Sequence, residues 1–308
     1  MSHICLPSTA IRDRLGQLAP ELDAASALVF ETGSPPDGVD EVEFWVPTFL
    51  HADPVSARAA IEAMPKLRVI QTQTAGVDTF VSITPPGVTL CDARGVHGSS
   101  TSEWALAAML SVLREFPRFE RAQQERRWDY SITGELAGNR VLIVGAGDVG
   151  QQLARRVIAC DAEPVMVART ARNGVHGIDE LPELLGSADV VVLIVPKTSE
   201  TVGMVDAEFL ARMPDGALLV NAARGPVVIT DALLAELQSG RLRAALDVVE
   251  PEPLPSSHPL WTAPNLLLTP HVAGSVLGFG DRFVELLAAQ LTRFVQGQPL
   301  QNVVTGEY

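Results

Sequence analysis

Six residues, Gly145-Ala146-Gly147-Asp148-Val149-Gly150, directly follow the apolar run 141–144 and open a helical pattern over 151–158. A strand, a turn spaced G-x-G-x-x-G and a helix start together make the arrangement that receives a dinucleotide pyrophosphate. The first glycine permits the tight turn, and the second lets the backbone approach the phosphates. The third lets helix and strand pack closely, with the phosphate at the positive helix end. Gly145, Gly147 and Gly150, with Asp148 and Val149 between them, are therefore candidate cofactor-binding residues, and the chemistry such a cofactor brings is hydride transfer. The next apolar run, 164–167, should deliver its end to the adenosine ribose, where NAD-selective sites carry an acid about 20 positions past the glycines. Here the chain reads Ala168-Arg169-Thr170-Ala171-Arg172. No carboxylate is present to repel a 2′-phosphate, Arg169 can pair with one, and Thr170 can donate a hydroxyl hydrogen bond. NADP(H) is the expected cofactor, with NAD(H) possible. Lys197 can add charge to the same rim. The alternative is that Arg169 and Arg172 are solvated loop charges.

Such turns need strands to carry them, and short β-rich apolar runs alternate with helical patterns from end to end. A first series falls at 3–6, 27–30, 43–46, 67–73 and 88–91, and a second at 141–144, 164–168, 190–195, 217–220, 244–248 and 266–268. That rhythm signals βα units and parallel sheets. Between the series lies a long apolar helix over 101–114, with Ser and Thr residues ahead of it as candidate caps. The charged and aromatic stretch 116–138 lacks a clear period and reads as a connecting arm. A final amphipathic helix over 281–296 ends at Gly297, a helix stop.

The 308 residues, 47% hydrophobic, suffice for two cores. A net charge of -14 argues against a nucleic-acid or anionic-membrane surface, so an anionic substrate needs a local cationic pocket. The longest apolar runs, such as 190–195, fall far short of the roughly 20 residues a spanning helix requires. The N-terminal residues carry no secretion signal, and cytoplasmic residence is the default expectation. Cys5, Cys91 and Cys160 fit neither a disulfide framework nor a metal site, so reduced thiols and no metal are expected.

Three more stretches complete a pattern: Asn221-Ala222-Ala223-Arg224-Gly225, Ala245 through Leu254 with Asp247 and Glu252, and Leu268-Thr269-Pro270-His271-Val272-Ala273-Gly274. Together with Gln73-Thr74-Ala75-Gly76-Val77-Asp78, the run from Val195 to Thr201 and the glycine turn, the chain resembles the D-isomer-specific 2-hydroxyacid dehydrogenases over nearly its whole length. That group contains glyoxylate/hydroxypyruvate reductases and phosphoglycerate dehydrogenase. The resemblance implies an α/β protein of two doubly wound parallel-sheet domains. By that resemblance a Rossmann-type cofactor domain, 99–273, would be inserted into a flavodoxin-like substrate domain made of 1–98 and 274–308, with the active site expected in the cleft between them. It also implies that Arg224 binds the substrate carboxylate and polarises the C2 oxygen, that His271 is the acid/base, and that Glu252 is its partner. By the same resemblance, Asp247 would hold the nicotinamide side, and the backbone amides of Ala75, Gly76 and Val77 would receive the carboxylate. Members dimerise through their cofactor domains, so a homodimer is expected, with the arm around Trp128 a candidate contact. The chain stops soon after its terminal helix, without the regulatory extension of some phosphoglycerate dehydrogenases, which favours the glyoxylate/hydroxypyruvate type.

The chemistry these residue types offer stands without the family. A guanidinium fixes and orients a carboxylate through two parallel charge-assisted hydrogen bonds. Ketone reduction needs a proton at oxygen as hydride reaches carbon, and imidazole titrates near working pH. A neighbouring carboxylate stabilises the imidazolium and fixes the ring. Singly, each of Arg224, Glu252 and His271 could be an ordinary surface or turn residue; jointly, at the strand ends of a dinucleotide domain, they read as a site. His3, His51, His97, His176 and His258 have no such company and are given no role. Trp45 either lines a small apolar-walled pocket or packs in the core. Two other readings remain: an NAD-dependent enzyme of different substrate range, and a nucleotide-sensing, corepressor-like binding protein.

Overall fold

The computed structural model describes residues 3–31, 33–48 and 53–306, and His51 lies outside them. The chain divides into Met1–His97 with Leu277–Tyr308, and Gly98–Val276.

In the smaller unit, strands β1 (Ile4–Leu6), β2 (Leu28–Val29), β3 (Phe44–Trp45), β4 (Val69–Gln71) and β5 (Thr89–Cys91) form a parallel sheet. Its order, β2-β1-β3-β4-β5, is that of a flavodoxin-like doubly wound sheet. Helices α1 (Thr9–Leu18), α2 (Pro54–Glu62) and α3 (Asp78–Val81) connect the strands. Alternate strand residues feed two cores, as period 2 requires. Leu6, Phe44, Val69 and Cys91 pack with Phe283, Leu287 and Leu291 of the C-terminal helix. Cys5, Trp45, Ile70 and Leu90 pack on the other face with Ile61 and Phe80. Trp45 is thereby a core residue, edge-on to Phe80 with centroids 6.1 Å apart, and no substrate-facing role remains for it.

The larger unit opens with α4 (Gly98–Leu113) and α5 (Phe116–Gln124). It continues through β6 (Arg140–Val144), α6 (Asp148–Ile158), β7 (Glu163–Ala168), β8 (His176–Gly177), α7 (Leu181–Leu185), β9 (Val190–Leu193) and α8 (Ala207–Arg212). It closes with β10 (Leu218–Asn221), α9 (Thr230–Gln238), β11 (Arg243–Leu246) and β12 (Leu266–Leu268). The seven parallel strands run β12-β11-β10-β9-β6-β7-β8. The order reverses between β6 and β9, the switch point beside which open α/β sheets bind ligands. The fully buried strands β9 and β10 explain the continuous apolar runs of the sequence, since a parallel sheet is covered on both faces. The C-terminal helix of the smaller unit, α10 (Phe279–Val295), stops where Gly297 adopts φ 66°.

Two local expectations differ from what is observed. The start of the stretch 116–138 is helical, as α5. Its polar residues mask a thin inward stripe, half-buried Phe119 and buried Ala122, while Pro117 in the first turn suits a helix start. Helix α4 begins at Gly98, so the Ser and Thr residues expected to precede it form its first turns, with the Ser102 hydroxyl donating to the Gly98 carbonyl at 2.6 Å.

Candidate active site

The glycine turn leaves β6 at the switch point, and each glycine has its own reason. Gly145 has φ 121°, and a Cβ there would collide with the Ile194 carbonyl. A Cβ at Gly150 would collide with the Gly145 carbonyl, so only glycine lets α6 sit this close to its strand. At Gly147, just ahead of α6, a Cβ would meet nothing within 4 Å. The space above Gly147 lies at the positive end of an 11-residue helix and fits a pyrophosphate. The Asp148 carboxylate turns toward α4: Oδ1 accepts from Gln152 Nε2 at 2.9 Å, and Oδ2 is buried against Gly98. What Asp148 and half-buried Val149 present to a ligand is therefore helix-end backbone.

At the end of β7, Ala168 gives way to exposed Arg169 and Thr170. Arg169 Nε lies 2.9 Å from Glu200 Oε2, a partner that sequence reasoning missed. Arg172 donates to the Ala146 carbonyl at 2.8 Å, across the glycine turn. Lys197 is exposed.

Arg224 follows β10 in a loop pinned by buried Asn221, whose Nδ2 donates to the Arg224 carbonyl at 3.1 Å and whose Oδ1 accepts from Ala223 N–H at 3.0 Å. Gly225 passes so close to Val249 that any side chain would strike its carbonyl. The half-buried Arg224 guanidinium donates to the Ala223 carbonyl at 2.7 Å.

His271 follows β12 and Glu252 follows β11, on neighbouring strands of the sheet. His271 Nδ1 lies 2.6 Å from Glu252 Oε1, and both side chains keep partial exposure, 48% and 39%. The His271 backbone is left-handed, φ 54°, a conformation that costs a non-glycine residue roughly 1–3 kcal/mol and needs surroundings that enforce it. Buried Asp247 provides them. Its Oδ1 accepts from the Thr269 hydroxyl at 2.6 Å and from Val272 N–H at 2.9 Å, and its Oδ2 accepts from Ala273 N–H at 2.9 Å. Its carbonyl accepts from His271 N–H at 2.7 Å.

In the smaller unit, Ala75, Gly76 and Val77 lie in the loop after β4. The Thr74 hydroxyl donates to the Gly76 carbonyl at 2.6 Å, and Val77 leads into α3. Among the described residues, no acceptor takes up the N–H groups of Ala75, Gly76 or Val77; Ala75 and Gly76 are half-buried, whereas Val77 is buried, so the loop offers an anion the first two. His97 and Gln73 brace the loop, with His97 Nε2 2.9 Å from the Gln73 carbonyl. His3, His176 and His258 make local contacts with Glu41, Glu180 and Leu260. No cluster of metal-ligating side chains occurs among the described residues, and no helix there is long and apolar enough to cross a membrane.

A family model described as D-isomer specific 2-hydroxyacid dehydrogenase, NAD binding domain, matches residues 106–273. A glyoxylate reductase of Thermofilum pendens is 33% identical over 262 residues, covering 80% of this chain and 77% of that protein. A D-3-phosphoglycerate dehydrogenase of Archaeoglobus fulgidus is 33% identical over 255 residues, 79% of this chain but 48% of that protein, so the chain spans about half of that relative. Among solved structures, an NADPH-dependent glyoxylate/hydroxypyruvate reductase from Sinorhizobium meliloti, in complex with NADP and sulfate, matches with a TM-score of 0.82. It is 27% identical, over 98% of this chain and 97% of that one.

Proposed function

The chain belongs to the D-isomer specific 2-hydroxyacid dehydrogenase family, and from that premise we propose that it transfers a hydride between NADP(H) and C2 of a small 2-keto or 2-hydroxy acid of the glyoxylate or hydroxypyruvate type. The observation that carries the reading is the 2.6 Å contact of His271 with Glu252, on strand-end loops of the unit whose glycine turn fits a dinucleotide. The nicotinamide, when bound, supplies the hydride. Glu252 accepts from Nδ1–H and leaves Nε2 to give a proton to the C2 oxygen in reduction and to take it back in oxidation. Arg224 grips the carboxylate with two parallel hydrogen bonds and polarises the C2 oxygen; the loop of Ala75, Gly76 and Val77 is the further carboxylate-receiving element that the family resemblance implies.

The NADP(H) preference is supported by Ala168 in place of an acid, by Arg169 and Thr170 beside it, and by the NADPH dependence of the Sinorhizobium relative. The Arg169–Glu200 ion pair favours a second reading, an enzyme that uses NAD(H) comparably well. We further propose a homodimer working in the cytoplasm. Trp128, Tyr130 and Ile132 are 96%, 85% and 89% exposed, while Asp129 among them is held by Arg118 and Arg127, which suits a preformed arm covered by a second copy. Three unpaired cysteines suit a reducing compartment.

The test is kcat/KM for glyoxylate, hydroxypyruvate, pyruvate and a bulkier 2-keto acid with NADPH and with NADH. Highest efficiency with NADPH and one of the first two acids supports the proposal. Equal or better use of NADH removes the cofactor assignment, and no turnover with any of the acids removes the reaction.

A further inference from the structure

The charges around the adenosine end of the glycine turn do not all welcome a phosphate. β7 and β9 flank β6 on either side, so their carboxyl ends stand about 9–10 Å apart across the strand that carries the turn. The chains leaving them put Arg169 and Glu200 into that gap, and the two side chains close it with the 2.9 Å ion pair. Both remain largely in solvent, 61% and 65% exposed, so the pair is weak and exchangeable. Arg172 is drawn instead to the Ala146 carbonyl, which leaves Glu200 facing Arg169. β7 ends in Ala168 and provides no acid at this rim, yet Glu200 brings one from a different strand.

We propose that Glu200 is a specificity-determining residue whose carboxylate competes with the ribose 2′-phosphate for Arg169, so that the preference for NADP(H) is smaller than Arg169 alone would set. The inference rests on the reading that Arg169 faces the ribose 2′ position. A 2′-phosphate near Arg169 has to displace Glu200 or share the guanidinium with it, and in either case two anions come close together. A 2′-hydroxyl carries no charge and meets no such opposition. The competition is between exposed charges, so salt reduces it.

Dissociation constants of adenosine 2′,5′-bisphosphate, adenosine 5′-monophosphate, NADPH and NADH, measured by calorimetry at low and high salt, test this with Glu200→Gln, Arg169→Ala and the double variant. Glu200→Gln should tighten the bisphosphate and NADPH by roughly three- to tenfold, leave the monophosphate and NADH within about twofold, and lose most of the gain at high salt. In the Arg169→Ala background the gain should vanish. If Arg169→Ala weakens the bisphosphate while Glu200→Gln leaves it unchanged or weaker, the reading of Arg169 stands and the competition is overturned. A gain that survives in the double variant also overturns it, because Glu200 then acts without Arg169. If Arg169→Ala has no effect on the bisphosphate, the underlying cofactor reading falls as well.

Discussion

The carboxylate of Asp247 accepts a hydrogen bond from the Thr269 hydroxyl at 2.6 Å, and with it takes hold of the loop that carries His271. Three donors converge on this one buried side chain, two of them backbone N–H groups beyond His271. The sequence-based expectation makes Asp247 a contact for the nicotinamide side; the geometry supports a second duty, holding His271, the proposed acid/base, in its left-handed backbone. Asp247→Asn turns one acceptor into a donor that faces other donors, leaving a buried N–H unsatisfied at a cost of about 1–3 kcal/mol. Turnover should fall roughly 10- to 100-fold, as for a lost supporting partner, with NADPH affinity nearly intact. Steady-state kinetics beside cofactor titration separate the two roles: a large loss of cofactor affinity would assign Asp247 to the nicotinamide.

His271→Ala should lower kcat for keto-acid reduction by on the order of 10²- to 10⁴-fold without weakening cofactor binding. Glu252→Gln should cost less, because the ring keeps a hydrogen-bonding neighbour that holds its orientation. Turnover near that of the unaltered enzyme in His271→Ala would show that another group supplies the proton.

Arg224→Lys retains the charge and loses the planar fork, so kcat/KM should still drop substantially. The loss should appear with every 2-keto acid tried, since all share the carboxylate. Unchanged kcat/KM would make Arg224 a structural charge of the β10 loop.

Burial pushes the Cys5 thiol up to about 12 and the Cys91 thiol up to about 11. The reactive thiolate is therefore scarce at both across the ordinary pH range. Iodoacetamide at mildly alkaline pH should label the partly exposed Cys160 in the folded protein, and all three cysteines only after unfolding. Mass spectrometry of the labelled peptides checks this, and modification of Cys5 in the native protein would contradict the burial of β1.

If the arm around Trp128 is covered by a second copy, Trp128→Ala combined with Ile132→Ser should shift the protein toward monomer in light scattering, with the far-ultraviolet circular dichroism preserved. A monomeric unaltered protein, or a double variant that stays dimeric, would remove the arm from the interface.

Much of this protein is legible in short windows of its sequence. Continuous apolar runs such as 190–193 announce buried parallel strands, because a strand covered on both faces has no polar alternation. The glycine spacing announces the dinucleotide turn, because tight chain direction and close packing at Gly145 and Gly150 exclude any side chain. The candidates Arg224, Glu252 and His271 were visible as types and through the family resemblance. Helix α5 was hidden because two inward residues, Phe119 and Ala122, make too thin a stripe to stand out from a polar stretch. Only the tertiary structure decided which strand ends meet. Arg169 and Glu200 are 31 positions apart, and Asp247 and Thr269 are 22 apart. Both pairings depend on strand order, which sets distances between side chains that no local pattern encodes. Trp45 is the same lesson inside the core: its position beside Pro47 suits a pocket or an interior equally well, and the face of β3 on which it lies sends it against Phe80.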